Sequence, residues 1–188
     1  MTEAVIVPYE PPSRLRPITA GELLRMELPP RENMLAPWLP TKGLAMIYAP
    51  RGVGKTHLSL AVGYAVASGA TFLKWCAPVP RRVLFIDGEM PANVMQQRLA
   101  RIADQSESEP PAEDFIRFIA ADLHREGIPD LATEEGQADL RPHLDDAELI
   151  IFDNLSTLFR TGKENEADSW GPVQELALGL RREGRSVL

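Results

Sequence analysis

The chain has 188 residues, enough for one domain with a sizeable core and no need of disulfides or metals. Apolar residues make up 44% and charged residues 25%, which excludes wholesale disorder. With 27 acids against 20 bases the net charge is −7, which argues against a basic nucleic-acid coat protein but leaves room for a local basic channel.

The single cysteine, Cys76, rules out an intrachain disulfide and a multi-cysteine zinc site, and it fits a reducing compartment. No apolar run approaches the ~20 residues that span a bilayer. Met1 to Glu10 lack the basic-then-apolar pattern of a signal peptide. The reading is a cytoplasmic protein with no membrane partner.

Eight of the 17 prolines fall within the first 40 residues. Proline fixes φ and removes a donor, so residues 1–40 read as an irregular arm, with one short helix over Ala20 to Glu27 capped by Thr19. Residues 41–188 read as the domain proper. Leu44 to Tyr48 is expected to be a buried strand, and Thr56 to Ser68 a helix ended by Gly69. Val83 to Ile86 is a second strand and Ala92 to Ala103 a helix. Phe115 to Ala120 is a third strand. Thr133 caps a helix expected to run through Leu144, with Glu134 and Glu135 at its positive end. Leu149 to Phe152 is a fourth strand, Ser169 to Arg182 a helix, and Ser186 to Leu188 opens a fifth strand. Continuous apolar strands alternating with helices give an α/β fold: a three-layer parallel sheet with helices on both faces. Because the last strand is cut short, the sequence reads as part of a longer protein.

Ala49-Pro50-Arg51-Gly52-Val53-Gly54-Lys55-Thr56 follows a strand and opens a helix. It fits G-x-x-x-x-G-K-[ST] with Ala49 in the first position. Gly52 and Gly54 let successive N–H groups turn inward around phosphate oxygens. The helix N-terminus adds free N–H groups and partial positive charge. Lys55 is expected to reach the terminal phosphates of ATP, and Thr56 to place its hydroxyl on Mg²⁺. The nucleotide-binding stretch is taken as Ala49 to His57. His57, His124 and His143 lack metal-ligand spacing with one another and otherwise read as structural or exposed.

Two carboxylate positions complete the expected site. Asp153 ends the fourth strand, at the sheet edge where ligands bind, and is assigned to Mg²⁺ together with Thr56. Glu89 follows Asp87-Gly88 at the end of the second strand, within reach of a γ-phosphate, and is assigned as the base that polarises the attacking water. Asp87 is the rival for that role, or else orients a neighbour.

The segments Phe85 to Pro91 and Leu149 to Leu158 resemble the glutamate-bearing strand end and the Walker B segment of RecA-like ATPases. The likeness is to hexameric helicases of the DnaB kind and to plasmid RepA-type helicases. The resemblance covers residues 35–188. It implies a RecA-like P-loop core and a nucleotide-driven motor in DNA replication. It also implies a homo-oligomeric ring with ATP at subunit interfaces and single-stranded DNA as a partner. By matching position it gives Lys55 and Thr56 the phosphate and Mg²⁺ roles, Glu89 the catalytic role and Asp153 the Walker B role. The family pattern continues past the equivalent of Leu188 into a γ-phosphate sensor and a basic finger, which these residues do not contain. Two other functions remain open: a nucleotide switch with little turnover, and a small-molecule kinase using Arg98 and Arg101 as a phosphate clamp.

The loop from Arg160 to Asp168 offers Arg160 and Lys163 to DNA phosphates, but Glu164, Glu166 and Asp168 oppose a positive field there. Trp38, Phe72 and Trp75 read as packing residues, with base stacking the alternative for Trp38. Cys76 reads as buried or semi-buried.

Overall fold

The structure, a computed structural model, describes residues 15–160 and 170–188. It divides into two compact units, the boundary along the chain falling between Arg31 and Glu32. In the first unit, α1 (Ala20–Arg25) starts at a full capping box. The Thr19 hydroxyl accepts the N–H of Glu22 at 3.2 Å, and the Glu22 carboxylate accepts the N–H of Thr19 at 2.7 Å. The Thr19 N–H, and the Thr19 hydroxyl donating to the same carboxylate at 3.0 Å, hold the Glu22 carboxyl below its ordinary pKa.

The second unit opens with β1 (Asn33–Leu35) and β2 (Leu39–Pro40), a short antiparallel pair. Pro37 and Pro40 keep these strands short. Even so, Met34, Leu35 and Leu39 are buried in the main core. The proline-rich stretch therefore joins the larger unit from Glu32 onward.

Leu44 to Tyr48 departs from the expected buried strand. Its hydrogen bonds to the strand beside it are Ala45 N–H to Val187 O (2.9 Å) and Val187 N–H to Gly43 O (2.9 Å). Leu44, Met46 and Tyr48 are exposed. The neighbouring strand is only two residues long, so the ladder stops after one bridge. Alternate side chains then face solvent.

The helix α2 (Lys55–Ser68) ends at Gly69 in the left-handed conformation, and every residue from Ser59 to Ala67 is buried. The hairpin β3 (Thr71–Phe72) and β4 (Trp75–Cys76) follows. Trp38 meets Trp75 edge-on at 5.3 Å, which makes it a packing residue. Cys76 is exposed, contrary to expectation. Alternation in this two-residue strand sends Trp75 inward and its neighbour outward.

β5 (Val83–Asp87), α3 (Ala92–Gln105), β6 (Ile116–Ala120), α4 (Glu134–Leu140), β7 (Leu149–Asp153), α5 (Leu155–Leu158), α6 (Gly171–Arg182) and β8 (Ser186–Val187) complete the order. α4 is shorter than expected, because the chain tightens into a 3₁₀ turn over Arg141–His143 around Pro142. The central sheet runs β6-β5-β7-β8, all parallel.

Side-chain alternation divides the core. Val83, Phe85, Leu149 and Ile151 face one way, with Leu60 and Met95 from α2 and α3. Leu84, Ile86, Ile150 and Phe152 face the other, with Leu140, Leu176 and Leu180. Both sheet faces are covered, which is why the strands read as unbroken apolar runs. The fold is α/β with a parallel sheet between helices.

Candidate functional site

β5 and β7 end side by side, with Asp87 directly opposite Asp153. Both carboxylates are buried, at 2% and 8% exposure. A carboxylate is buried only where it is paired or hydrogen-bonded. Ser59, in the second turn of α2, donates its hydroxyl to Asp153 Oδ2 at 2.9 Å. The same hydroxyl lies 3.1 Å from the carbonyl of Thr56. Thr56 makes no hydrogen bond to Asp153 among the described residues, so Ser59 links the helix to the strand end.

After Asp87 the chain turns sharply. A Cβ on Gly88 would collide with the Thr157 side chain, so only glycine fits between the turn and α5. The Gly88 N–H stays tied to the Asp153 carbonyl at 2.9 Å. Glu89 emerges exposed, and its Oε2 accepts the side-chain N–H of Asn154 at 2.7 Å. Asn154 is itself fixed as the N-cap of α5, its Oδ1 accepting the Thr157 N–H at 3.1 Å and the Ser156 hydroxyl at 2.7 Å. Glu89 and the residue after Asp153 thus meet.

The loop before α2 is built for an anion. Gly52 and Gly54 hold φ of +84° and +98°, a region closed to most side chains. Open space lies where a Cβ on either would project. α2 has no side-chain cap, and its first bond closes from Leu58 N–H to Gly54 O at 3.0 Å. The N–H groups of the turn before it have no helical acceptor. The Lys55 ammonium rests on the carbonyls of Ala49 (2.7 Å) and Pro50 (3.0 Å), at the mouth of the loop. Arg51 and Val53 are exposed on the loop. His57 turns aside, lining a groove with Tyr64, Phe72 and Ile102.

A family model described as an AAA domain matches residues 9–185. The chain belongs to that family. It is a P-loop ATPase-type family, and the AAA domain carries nucleotide binding with it. No curated protein matches the chain.

The donor set of this AAA domain fits a nucleoside triphosphate with Mg²⁺: uncapped N–H groups and an ammonium at the loop, hydroxyl and carboxylate oxygens beside it. Burial pushes the Asp87 carboxyl above its ordinary value. The N–H groups of Met90 and Glu89 oppose that rise, and the charges of Asp153 and Glu89 add to it.

Two contributors escaped sequence reasoning. Ser59 sits three positions after Thr56, a spacing that puts both on one helix face. Asn154 adjoins Asp153, but only the β5–β7 register shows that it meets Glu89. Arg160 is engaged elsewhere. Its guanidinium donates to the Ile128 carbonyl, and its N–H to Asp130 Oδ1 at 2.9 Å. Lys163, Glu164, Glu166 and Asp168 lie outside the described residues.

Proposed function

We propose that this AAA domain hydrolyses ATP with Mg²⁺. The observation that supports it is the meeting of the uncapped phosphate loop, Asp153 and Glu89 at one sheet edge, through Ser59 and Asn154. The loop N–H groups and Lys55 bind the phosphates, Lys55 exchanging its two carbonyls for phosphate oxygens. Glu89 takes a proton from water as the water oxygen bonds to the γ-phosphorus. The bond from that phosphorus to the bridging oxygen breaks, and ADP leaves with the electron pair. Mg²⁺, held by Thr56 and Asp153, would neutralise charge on the phosphate oxygens.

The resemblance of residues 85–91 and 149–158 to RecA-like helicases supports a motor acting on single-stranded DNA, assembled as a ring. The proposed extent of that core is residues 32–188, since the stretch from Glu32 to Pro40 enters the larger unit and its core. The test is MgATP turnover with and without single-stranded DNA, with Lys55→Ala as blank. DNA-stimulated turnover supports the motor. Turnover indifferent to DNA removes it and keeps the ATPase.

A second reading has one observation in its favour. Glu89 is held by Asn154, and Lys55 by its own loop, an arrangement suited to a nucleotide switch. Tight MgATP binding without turnover in either condition selects it.

A further inference from the structure

Asp87 is the buried carboxylate of this site that the proposed chemistry leaves unused. An apolar side chain would fill its place without the cost of burying an acid next to Asp153 and Glu89. Among the described residues no ion pair reaches it, so no cation offsets that cost.

The backbone donors of the turn show what it does. Gly88 N–H goes to the Asp153 carbonyl, and Ala92 N–H to Asp122 Oδ2 at 2.9 Å. Pro91 has no N–H. The N–H groups of Glu89 and Met90 remain, and both go to Asp87 Oδ1, at 3.0 and 2.6 Å. Every donor from Gly88 to Ala92 is thereby met, as buried backbone requires. Nor does Asp87 cap α3, which starts at Ala92 behind Pro91 without a side-chain cap.

We propose that Asp87 is a positioning residue for Glu89: by accepting both N–H groups it fixes the turn that delivers the Glu89 carboxylate to Asn154. The inference rests on the reading of Glu89 as the base and assigns the group that stands behind it. Asp87 acts through the backbone of the turn, by its bonds to the Glu89 and Met90 N–H groups.

The experiment compares Asp87→Asn, Asp87→Ala and Glu89→Gln with the wild-type chain. It follows MgATP affinity, turnover, amide hydrogen exchange at Glu89 and Met90, and the NMR shift of the Asn154 side-chain amide. Asp87→Asn keeps an acceptor oxygen, so both amides stay protected and kcat stays within roughly tenfold of wild type. Asp87→Ala removes it. Exchange at both amides is then expected to accelerate by roughly tenfold or more, and kcat to fall by roughly 30-fold or more, with MgATP affinity unchanged. The Asn154 resonance should move toward its position in Glu89→Gln.

Unchanged exchange and kcat in Asp87→Ala would overturn the inference. So would an affinity loss matching the loss in kcat, which would make Asp87 part of nucleotide binding. Asp87→Asn as slow as Asp87→Ala, with its amides protected, would show that charge and not the turn matters. If Asp87→Ala does not fold, rapid exchange of the two amides in the wild type is the result that overturns it. If the wild type does not hydrolyse ATP, the ATPase reading fails by itself. The positioning of Glu89 is then decided by the Asn154 resonance and the exchange rates.

Discussion

Just before β5, Arg81 bridges Glu32 and Glu148, each at 2.7 Å. Beside it Arg82 reaches Asp114 at 3.0 Å and Asp146 at 3.9 Å, and Arg117 also pairs with Asp146. A few residues on, where the same strands end, Asp87, Glu89 and Asp153 gather with no ion pair among the described residues. Their partners are N–H groups, a serine hydroxyl and an asparagine amide. One end of the sheet neutralises its charges within the fold. The other holds its acids by hydrogen bonds, with no cationic side chain paired to them among the described residues. Charges satisfied internally serve stability and specificity; charges left unsatisfied mark the end where a charged ligand has something to gain.

Substitutions can break this contrast, and the largest effects belong at the acidic end. Lys55→Ala and Glu89→Gln are each expected to lower MgATP turnover by about 100-fold or more, read by phosphate release. The first should also weaken nucleotide binding and the second should not, which a fluorescent-nucleotide titration separates. Ser59→Ala comes next. It strips the buried Asp153 carboxylate of its donor, and a urea melt should show a loss of about 1–3 kcal/mol. A loss near zero would mean that water replaces the hydroxyl.

At the paired end the effects shrink. Arg81→Ala frees Glu32 and Glu148, which are 66% and 43% exposed and can turn to water. The expected cost is about 1 kcal/mol in the same melt, with turnover unaffected. The smallest effect involves Glu183. Its hydrogen bond with Arg141, aided by the charges of Arg141 and Arg185, holds its carboxyl below the usual value of 4.5. The stability it lends is present above that value and fades as pH falls through the lowered one. Glu183→Gln should flatten that acid-side decline in the urea midpoint and leave neutral pH nearly unchanged. A decline as steep as wild type would remove the contribution.

Local pattern made much of this legible. The glycine-lysine-threonine loop, the apolar runs of β5 and β7 and the stop at Gly69 are features of neighbouring residues, and the sequence states them outright. The failures were of another kind. Leu44 to Tyr48 reads as a buried strand because its composition is apolar, but burial also needs neighbours, and β8 supplies one bridge. Residues 32–40 read as loose because of their prolines, yet prolines between short strands leave Met34, Leu35 and Leu39 free to enter the core. Glu89 reads from the sequence as projecting just past the end of its strand, but its partner Asn154 is 65 positions away, joined only by register. Ser59 was hidden by its ordinariness: a serine in an apolar helix carries no signal until Asp153 stands opposite.

One consequence of α2 concerns what the chain can tolerate. Most helices have a wet side on which substitutions are cheap; α3 has Met95 as its one buried residue. From Ser59 to Ala67, α2 has no wet side at all. Added bulk there presses on the sheet or on its neighbours, and any added charge is stranded. In a randomised library scored for folding, α3 should come through densely varied. The stretch behind the phosphate loop should remain almost blank, as intolerant as the loop it supports.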